Sequence, residues 1–270
     1  MLELKTCLDR VRAEGPLVLS ITNQVTINEC ANGLLAIGAS PVMSDDPTDA
    51  ETLAGLASAT VLNIGTISPP RLAVMLAAGR GARQAGRPVV LDPVGVGATS
   101  VRREAARQVI AEIRPDIIRG NFSEIKALAG LTNRQKGVDS SEVEDVPAVA
   151  AVARDLSLEL SAVVAVTGAT DVVADGEAVH LVGGGSPLLT RITGAGCLLS
   201  AMVGAYVGAN SGRPTQSALG ALSHMALAGE RAARETGGRP ALGTFRVRLF
   251  DHLALIGGDD LASFTKVSES

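Results

Sequence analysis

Residues 60–97, TVLNIGTISPPRLAVMLAAGRGARQAGRPVVLDPVGVG, decide the fold. The β-branched run Thr60–Ile64 reads as a strand. Ser68 then offers an N-cap with Pro69 at the first helical position, apolar spacing of helical period continues to about Gly86, and Pro88 stops it. Val89–Asp92 reads as a buried strand that ends in an acid and runs into a glycine-rich turn. Strand, helix and strand in this order form the repeating unit of a parallel sheet covered by helices.

The same alternation extends both ways from this unit. Upstream, Pro16–Thr22 reads as a strand, and Gln24–Gly38 and Asp49–Ser58 as helices. Downstream come helix patterns at Arg102–Ile113, Ser123–Ala129 and Pro147–Leu160, with strands at Ile117–Ile118 and Ala162–Thr167. Asp171–Ala174 and Glu177–Val182 flank Asp175-Gly176, a two-residue hairpin signal, which predicts antiparallel strands at one sheet edge. The last third is helical (Gly196–Val207, Thr215–Glu235, Phe245–Ile256), and from about Asp259 the chain reads as a frayed polar tail. No repeat or linker interrupts the pattern. Residues 1–270 are therefore expected to form a single α/β domain, with 259–270 as its tail.

The 46% hydrophobic content suffices for a sizeable core, but aromatic residues make up only 2%, so Ala, Val, Leu and Ile must fill it. Stacking of a base on an aromatic ring is not the expected binding device. Twenty-four basic residues against 28 acidic ones give a net charge of -4 without a basic run that could follow a phosphate backbone, which disfavours nucleic acid. Cys7, Cys30 and Cys197 are an odd number at wide spacing with no CxxC pair, as suits a reducing compartment. The N-terminus lacks an apolar signal core, and no run approaches ~18 apolar residues. A soluble cytoplasmic protein, without a membrane partner, is the expectation.

Ligands of open α/β sheets bind beyond the carboxyl ends of the strands. The segments there are Ser20–Asn23, Asn63–Thr66, Asp92–Gly97, Arg119–Glu124 and Thr167–Gly168, with Thr190–Cys197 opening a long helix. In Thr193-Gly194-Ala195-Gly196-Cys197, small residues let a ligand approach the backbone, and free N–H groups at a helix start suit an anion or a developing negative charge. A tight turn feeding a closely packed helix would look the same locally. Cys30 falls in a helical pattern and Cys7 in the N-terminal amphipathic stretch, and neither is given a role. His180, His224 and His252 show no metal-ligand spacing and read as structural or surface residues.

The ordered set ITNxV, NGLLAIGASPVM, NIGT, LDPVGVGAT, IIRGNxxEI, KGVDS, VAVTG, TGAGC and GTFRVRLFD is far more specific than any one motif. From about Leu17 to Ile256 the chain resembles the hydroxyethylthiazole kinase family. The resemblance implies a ribokinase-like three-layer α/β/α sandwich with a mostly parallel sheet. It also implies transfer of the γ-phosphoryl of ATP to the hydroxyl of 4-methyl-5-(2-hydroxyethyl)thiazole in thiamine biosynthesis, and assembly as a homotrimer. By the same resemblance Arg119 and Thr167 are ATP contacts, and Asn23, Met43 and Gly194 line the thiazole pocket. That pocket would span a subunit boundary, with the Asn23/Met43 side from one chain and the Gly194/Cys197 side from its neighbour.

Asp92 and Glu124 are the acids best placed to hold Mg²⁺, through water, and Glu124 resembles the end of the superfamily's NxxE motif. Arg119 offers a planar donor fork for phosphate oxygens. Gly194, Ala195, Gly196 and Cys197 form the catalytic turn, and Cys197 takes the place where sugar kinases of this fold carry an aspartate base. A thiol is a weaker base for an alcohol unless the helix end lowers its pKa, so positioning and electrostatics are expected to dominate, with Cys197 assisting. Ser20, Gln24, Glu29 and Ser186 depart from the family pattern around the presumed alcohol side. The competing readings are a hydroxymethylpyrimidine or pyridoxal kinase, an ATP-dependent dehydratase of hydrated nicotinamide nucleotides, and a silent binder. ASPVM and KGVDS speak against the kinases, Cys197 against the dehydratase, and the retained Asp92, Arg119 and Glu124 against the silent binder.

Overall fold

The computed structural model describes residues 3–131, 145–237, 239–264 and 266–269, so the KGVDS motif at 136–140 lies outside the described residues. The N-terminal stretch forms α1 (Leu4–Glu14), which buries Leu4, Cys7, Leu8 and Val11 at i, i+3, i+4, i+7 spacing and ends on Gly15. β1 (Leu17–Ile21), α2 (Ile27–Ile37), β2 (Ser40–Val42), α3 (Pro47–Leu56), β3 (Ala59–Asn63), α4 (Pro69–Gln84) and β4 (Val89–Asp92) follow. Next come α5 (Ser100–Ile113), β5 (Ile117–Asn121), α6 (Phe122–Leu128), α7 (Val146–Leu160) and β6 (Val163–Thr167). Local chemistry starts several helices: Asp46 caps α3 through the N–H groups of Thr48 and Asp49, and Asn121 with Glu124 forms a capping box on α6, whereas Ser68 stands at the N-cap position of α4 without a side-chain cap bond.

The strands make one sheet in the order β2-β1-β3-β4-β5-β6, all parallel, continued by antiparallel β7 (Asp171–Ala174), β8 (Val179–Val182) and β9 (Val267–Glu269). The β7–β8 turn is displaced by one residue from the expected Asp175-Gly176 pair. The Asp175 N–H donates to the Ala178 carbonyl at 3.2 Å, while Asp175 Oδ1 accepts from the N–H groups of Glu177 and Ala178, so the turn centres on Gly176-Glu177.

The expected frayed tail is corrected. This segment carries α11 (Gly258–Ala262) and β9 (Val267–Glu269), which pairs with β8. Leu261 and Phe264 are buried, and Arg231 reaches Asp260 at 2.5 Å. Two apolar side chains spaced among the polar residues suffice to dock this segment. β2 was also absent from the sequence reading, because its Ser-Pro-Val sequence is short and carries a proline, as edge strands tolerate.

Helices cover both faces. Against one face α1 and α2 pack with α8 (Ala195–Ala209), α9 (Pro214–Glu235), α10 (Leu242–Leu255) and α11. Against the other pack α3, α4, α5, α6 and α7. Side chains alternate faces along a strand, and the parallel registers Ser20↔Val61, Asn63↔Asp92, Val90↔Ile117 and Arg119↔Ala165 carry that parity across the sheet. Ser20, Asn63, Asp92, Arg119 and Thr167 consequently share the α8 face. Ile21, Leu62, Leu91, Ile118 and Val166 belong to the core on the opposite face.

Candidate active site

The polar row lies under the start of α8, which packs on β1, β3 and β4. Gly194 opens this helix with φ +87°, a left-handed conformation that favours glycine, and among the described residues no side chain caps the first N–H groups. Those donors and the positive end of the helix dipole are thus left for a ligand. Arg119 is held against the same turn: a Cβ at Gly196 would stand 2.8 Å from its Nη1. Its guanidinium also donates to Thr167 Oγ1, while Nε is buried without a partner among the described residues.

Toward the other end of the row, side chains stitch the strand ends together. Asn23 Oδ1 accepts from the N–H groups of Val25 and Thr26, and its Nδ2 donates to Asn63 Oδ1 and to Cys197 Sγ, both at 3.1 Å. Asn63 Nδ2 donates to Asp92 Oδ2 at 2.7 Å. Arg102 bridges the next two turns, donating to the carbonyls of Gly65 at 2.6 Å and Val94 at 2.7 Å. Glu124 continues the series, accepting from the Gly95 and Asn121 N–H groups, each at 2.8 Å.

Burial pushes the Asp92 carboxyl up to about 6, opposed by the Arg119 guanidinium and reinforced by Glu124. Asp92 is fully buried, and its Oδ1 has no partner among the described residues. Such an oxygen suits a cation or a donor brought by substrate. Glu124 fits a metal less directly, because both oxygens are engaged by backbone N–H groups, though each keeps a further lone pair for a bound water. Among the described residues no cluster of three metal-ligating side chains occurs, and a two-carboxylate site completed by phosphates and water needs none.

The expected division of the pocket between two chains is corrected in one respect. Asn23 and Cys197 touch within a single chain, and Gly194 lies against Thr26 of the same chain, because the end of β1 and the start of α8 adjoin. Met43, half-buried just beyond β2 at the sheet edge, lies on the α8 face beside Ser20, as the Leu19↔Val42 register sets it. The condition set for Cys197 as a base is also not met. Burial and the nearby Asp92 raise its thiol above the usual range despite the helix end, so it is a neutral S–H at neutral pH. Cys30 is pushed up to about 12 by burial and is inert.

Asn63, Arg102 and Asp171 had no role in the sequence reading. Asn63 lay within a flagged segment, and its parity with Asp92 was the signal that pointed to it. Asp171, at the start of β7, accepts from the Gly168 N–H at 3.0 Å. Burial raises it to about 6, opposed by that N–H and by Arg119. Nothing in its local sequence announces this proximity.

Comparison with known proteins agrees with this architecture. A curated hydroxyethylthiazole kinase of Clostridium beijerinckii is 38% identical over 275 residues, covering 99% of this chain and 98% of that protein. The solved hydroxyethylthiazole kinase structure from Pyrococcus horikoshii OT3 superposes with a TM-score of 0.90 at 37% identity over the whole of both chains. The pyridoxal kinase of Staphylococcus aureus in complex with ADP shares the ribokinase-like fold, with a TM-score of 0.58 over 80% of this chain and 88% of that one. At 17% identity that likeness carries the fold alone. Residues 8–258 match the model of the hydroxyethylthiazole kinase family, and the chain belongs to that family.

Proposed function

We propose that this kinase transfers the γ-phosphoryl of ATP to the hydroxyl of 4-methyl-5-(2-hydroxyethyl)thiazole, supplying the phosphorylated thiazole for thiamine biosynthesis. The observation that carries phosphoryl transfer is the polar row from Asn23 to Thr167 facing an uncapped helix N-terminus. Family membership carries the choice of alcohol. The alcohol oxygen bonds to the γ-phosphorus as the bond to the β,γ-bridging oxygen breaks; ADP leaves with the electron pair, and the hydroxyl proton is released to water.

Such a transfer asks little covalent help of the protein and much positioning and charge neutralisation. Arg119 neutralises the phosphates, with Thr167 holding its fork. The N–H groups at Ala195, Gly196 and Cys197 receive the charge on the transferred group. Asn23, Met43 and Gly194 line the alcohol side, where the Cys197 S–H packs beside the hydroxyl. Asp92, and Glu124 through water, would hold Mg²⁺, which neutralises β- and γ-phosphate charge when bound.

The assembly we propose is a homotrimer of single-domain chains in the cytoplasm. Its support is surface chemistry: Val25, Ile27 and Leu35 are exposed on and before α2, which packs on β2, a strand with one neighbour in the sheet among the described residues. A neighbouring chain on that face would stand beside Met43. Among the described residues no helix is long and apolar enough to cross a membrane.

The test is Mg²⁺-dependent ADP release by the purified protein, with hydroxyethylthiazole, hydroxymethylpyrimidine and pyridoxal offered in parallel. Release stimulated by the thiazole alone is expected. Stimulation by another alcohol would keep the chemistry and replace the substrate, and no stimulation by any would sink the kinase reading.

A further inference from the structure

Asn63 closes β3 with 1% of its surface exposed, and it is bonded on both ends of its amide. Oδ1 accepts from the Gly65 N–H at 2.9 Å and from Asn23 Nδ2, while Nδ2 donates to Asp92 Oδ2. Asn23 cannot turn over, because its own Oδ1 already holds the Val25 and Thr26 N–H groups. Donors therefore run one way, from the 25–26 backbone through two amides to a carboxylate. An amide NH₂ only donates. Asp92 Oδ2 is fixed as the acceptor; the Ser200 hydroxyl lies close enough to this carboxyl to favour its charged form, and Oδ1, buried and without a hydrogen-bond partner among the described residues, is the oxygen left for the reaction components.

We propose that Asn63 is a positioning residue for phosphoryl transfer: it sets which oxygen of Asp92 is offered and ties that choice to Asn23 and Cys197 at the alcohol end. The inference rests on the kinase reading above. Because the geometry it fixes matters most as charge moves, its loss should fall on kcat more than on KM. Leucine at this position has similar volume and no hydrogen bond. Aspartate together with Asn at position 92 recreates the hydrogen bond with amide and carboxylate exchanged.

The experiment compares the parent protein, Asn63→Leu, Asp92→Asn and the double variant Asn63→Asp/Asp92→Asn in steady-state kinetics and thermal unfolding. Asn63→Leu is expected to lower kcat about tenfold to a hundredfold, the range of a lost hydrogen bond to a charged group, with both KM values within about threefold. The double variant is expected to regain the parental unfolding midpoint while staying as slow as Asp92→Asn alone. Parental kcat in Asn63→Leu, or a loss confined to KM, overturns the inference. Should Asn63→Leu not fold, Asn63→Ala with Asp92 intact decides: a lowered kcat with KM little changed supports positioning, and parental kcat overturns it. A parent protein inactive on every alcohol overturns the kinase reading itself, whereas an active parent with an unimpaired Asn63→Leu overturns this inference alone.

Discussion

The two faces of the sheet, compared at the same height along the same strands, divide the molecule's work. On the face covered by α3, α4, α5, α6 and α7, the strand ends offer Ile21, Leu62, Leu91, Ile118 and Val166, all buried in an apolar cluster. One residue away on each strand, the α8 face offers Ser20, Asn63, Asp92, Arg119 and Thr167. A parallel sheet buried on both sides usually reads as continuous apolar runs. Here the polar positions interrupt those runs near the carboxyl ends, where burying a charge or an amide is costly unless partners meet it. The apolar face secures the fold, and the polar face spends part of that security on chemistry.

The sharpest way to break this comparison is to exchange effects between the faces. Leu91→Ala should destabilise the protein by about 2–5 kcal/mol through lost burial and a residual cavity, while the folded fraction keeps its kinetics. Denaturant unfolding with parallel assays checks it, and a stable but inactive variant would blur the division. Arg119→Ala should do the reverse, lowering kcat/KM about 10²–10³-fold with a raised ATP requirement and little change in unfolding midpoint. Unchanged ATP kinetics would remove Arg119 from the site.

A third test asks whether polarity on the α8 side always means function. Tyr206 Oη and His224 Nδ1 lie 2.9 Å apart on α8 and α9, and His224 Nε2 is 3.1 Å from the Leu253 carbonyl. The Nε2–H donates to that carbonyl, leaving Nδ1 to accept from the tyrosine. Burial, helped by Arg12, lowers the His224 pKa to about 3. The unfolded chain therefore binds a proton near pH 6.5 that the folded chain refuses. The stability contribution is complete above about pH 6.5 and is lost as pH falls toward 3, with a slope approaching about 1.4 kcal/mol per pH unit. Urea titrations of the parent and His224→Gln across that range should differ by this slope, the raised Asp92 and Asp171 acting in the opposite sense in both proteins, with kinetics at neutral pH unchanged. The smallest effect is expected from Cys197→Ser, which should alter turnover within about tenfold and leave substrate binding intact, because the neutral S–H assists rather than ionises. Parental turnover in the serine variant would reduce Cys197 to packing.

Much of this was legible in the chain itself. The bounds of β4 and β7 coincide with the runs read from VVLD and DVVA, and Ser68-Pro69 starts α4 where expected. Motifs at strand ends brought Asp92, Arg119, Thr167 and the GAG turn into view together. What escaped was set by partners distant in sequence. β9 exists because β8 offers it a free edge, and Val267-Ser268-Glu269 has no strand signal of its own. The link from Asn23 through Asn63 to Asp92 needs the register of three strands, and Asp171 feels the charge of Arg119 only because β7 folds back on β6.

The scarcity of aromatic rings has an optical consequence. Tyr206 is the sole tyrosine and there is no tryptophan, so near-ultraviolet absorption and emission come almost wholly from one phenol. That phenol is buried in α8, the helix whose first turn faces the proposed phosphates, and it is edge-on to His224 at 6.2 Å between ring centroids. The chain thus carries a built-in single-site chromophore, and a spectral change on nucleotide addition would report on this one helix without any attached label.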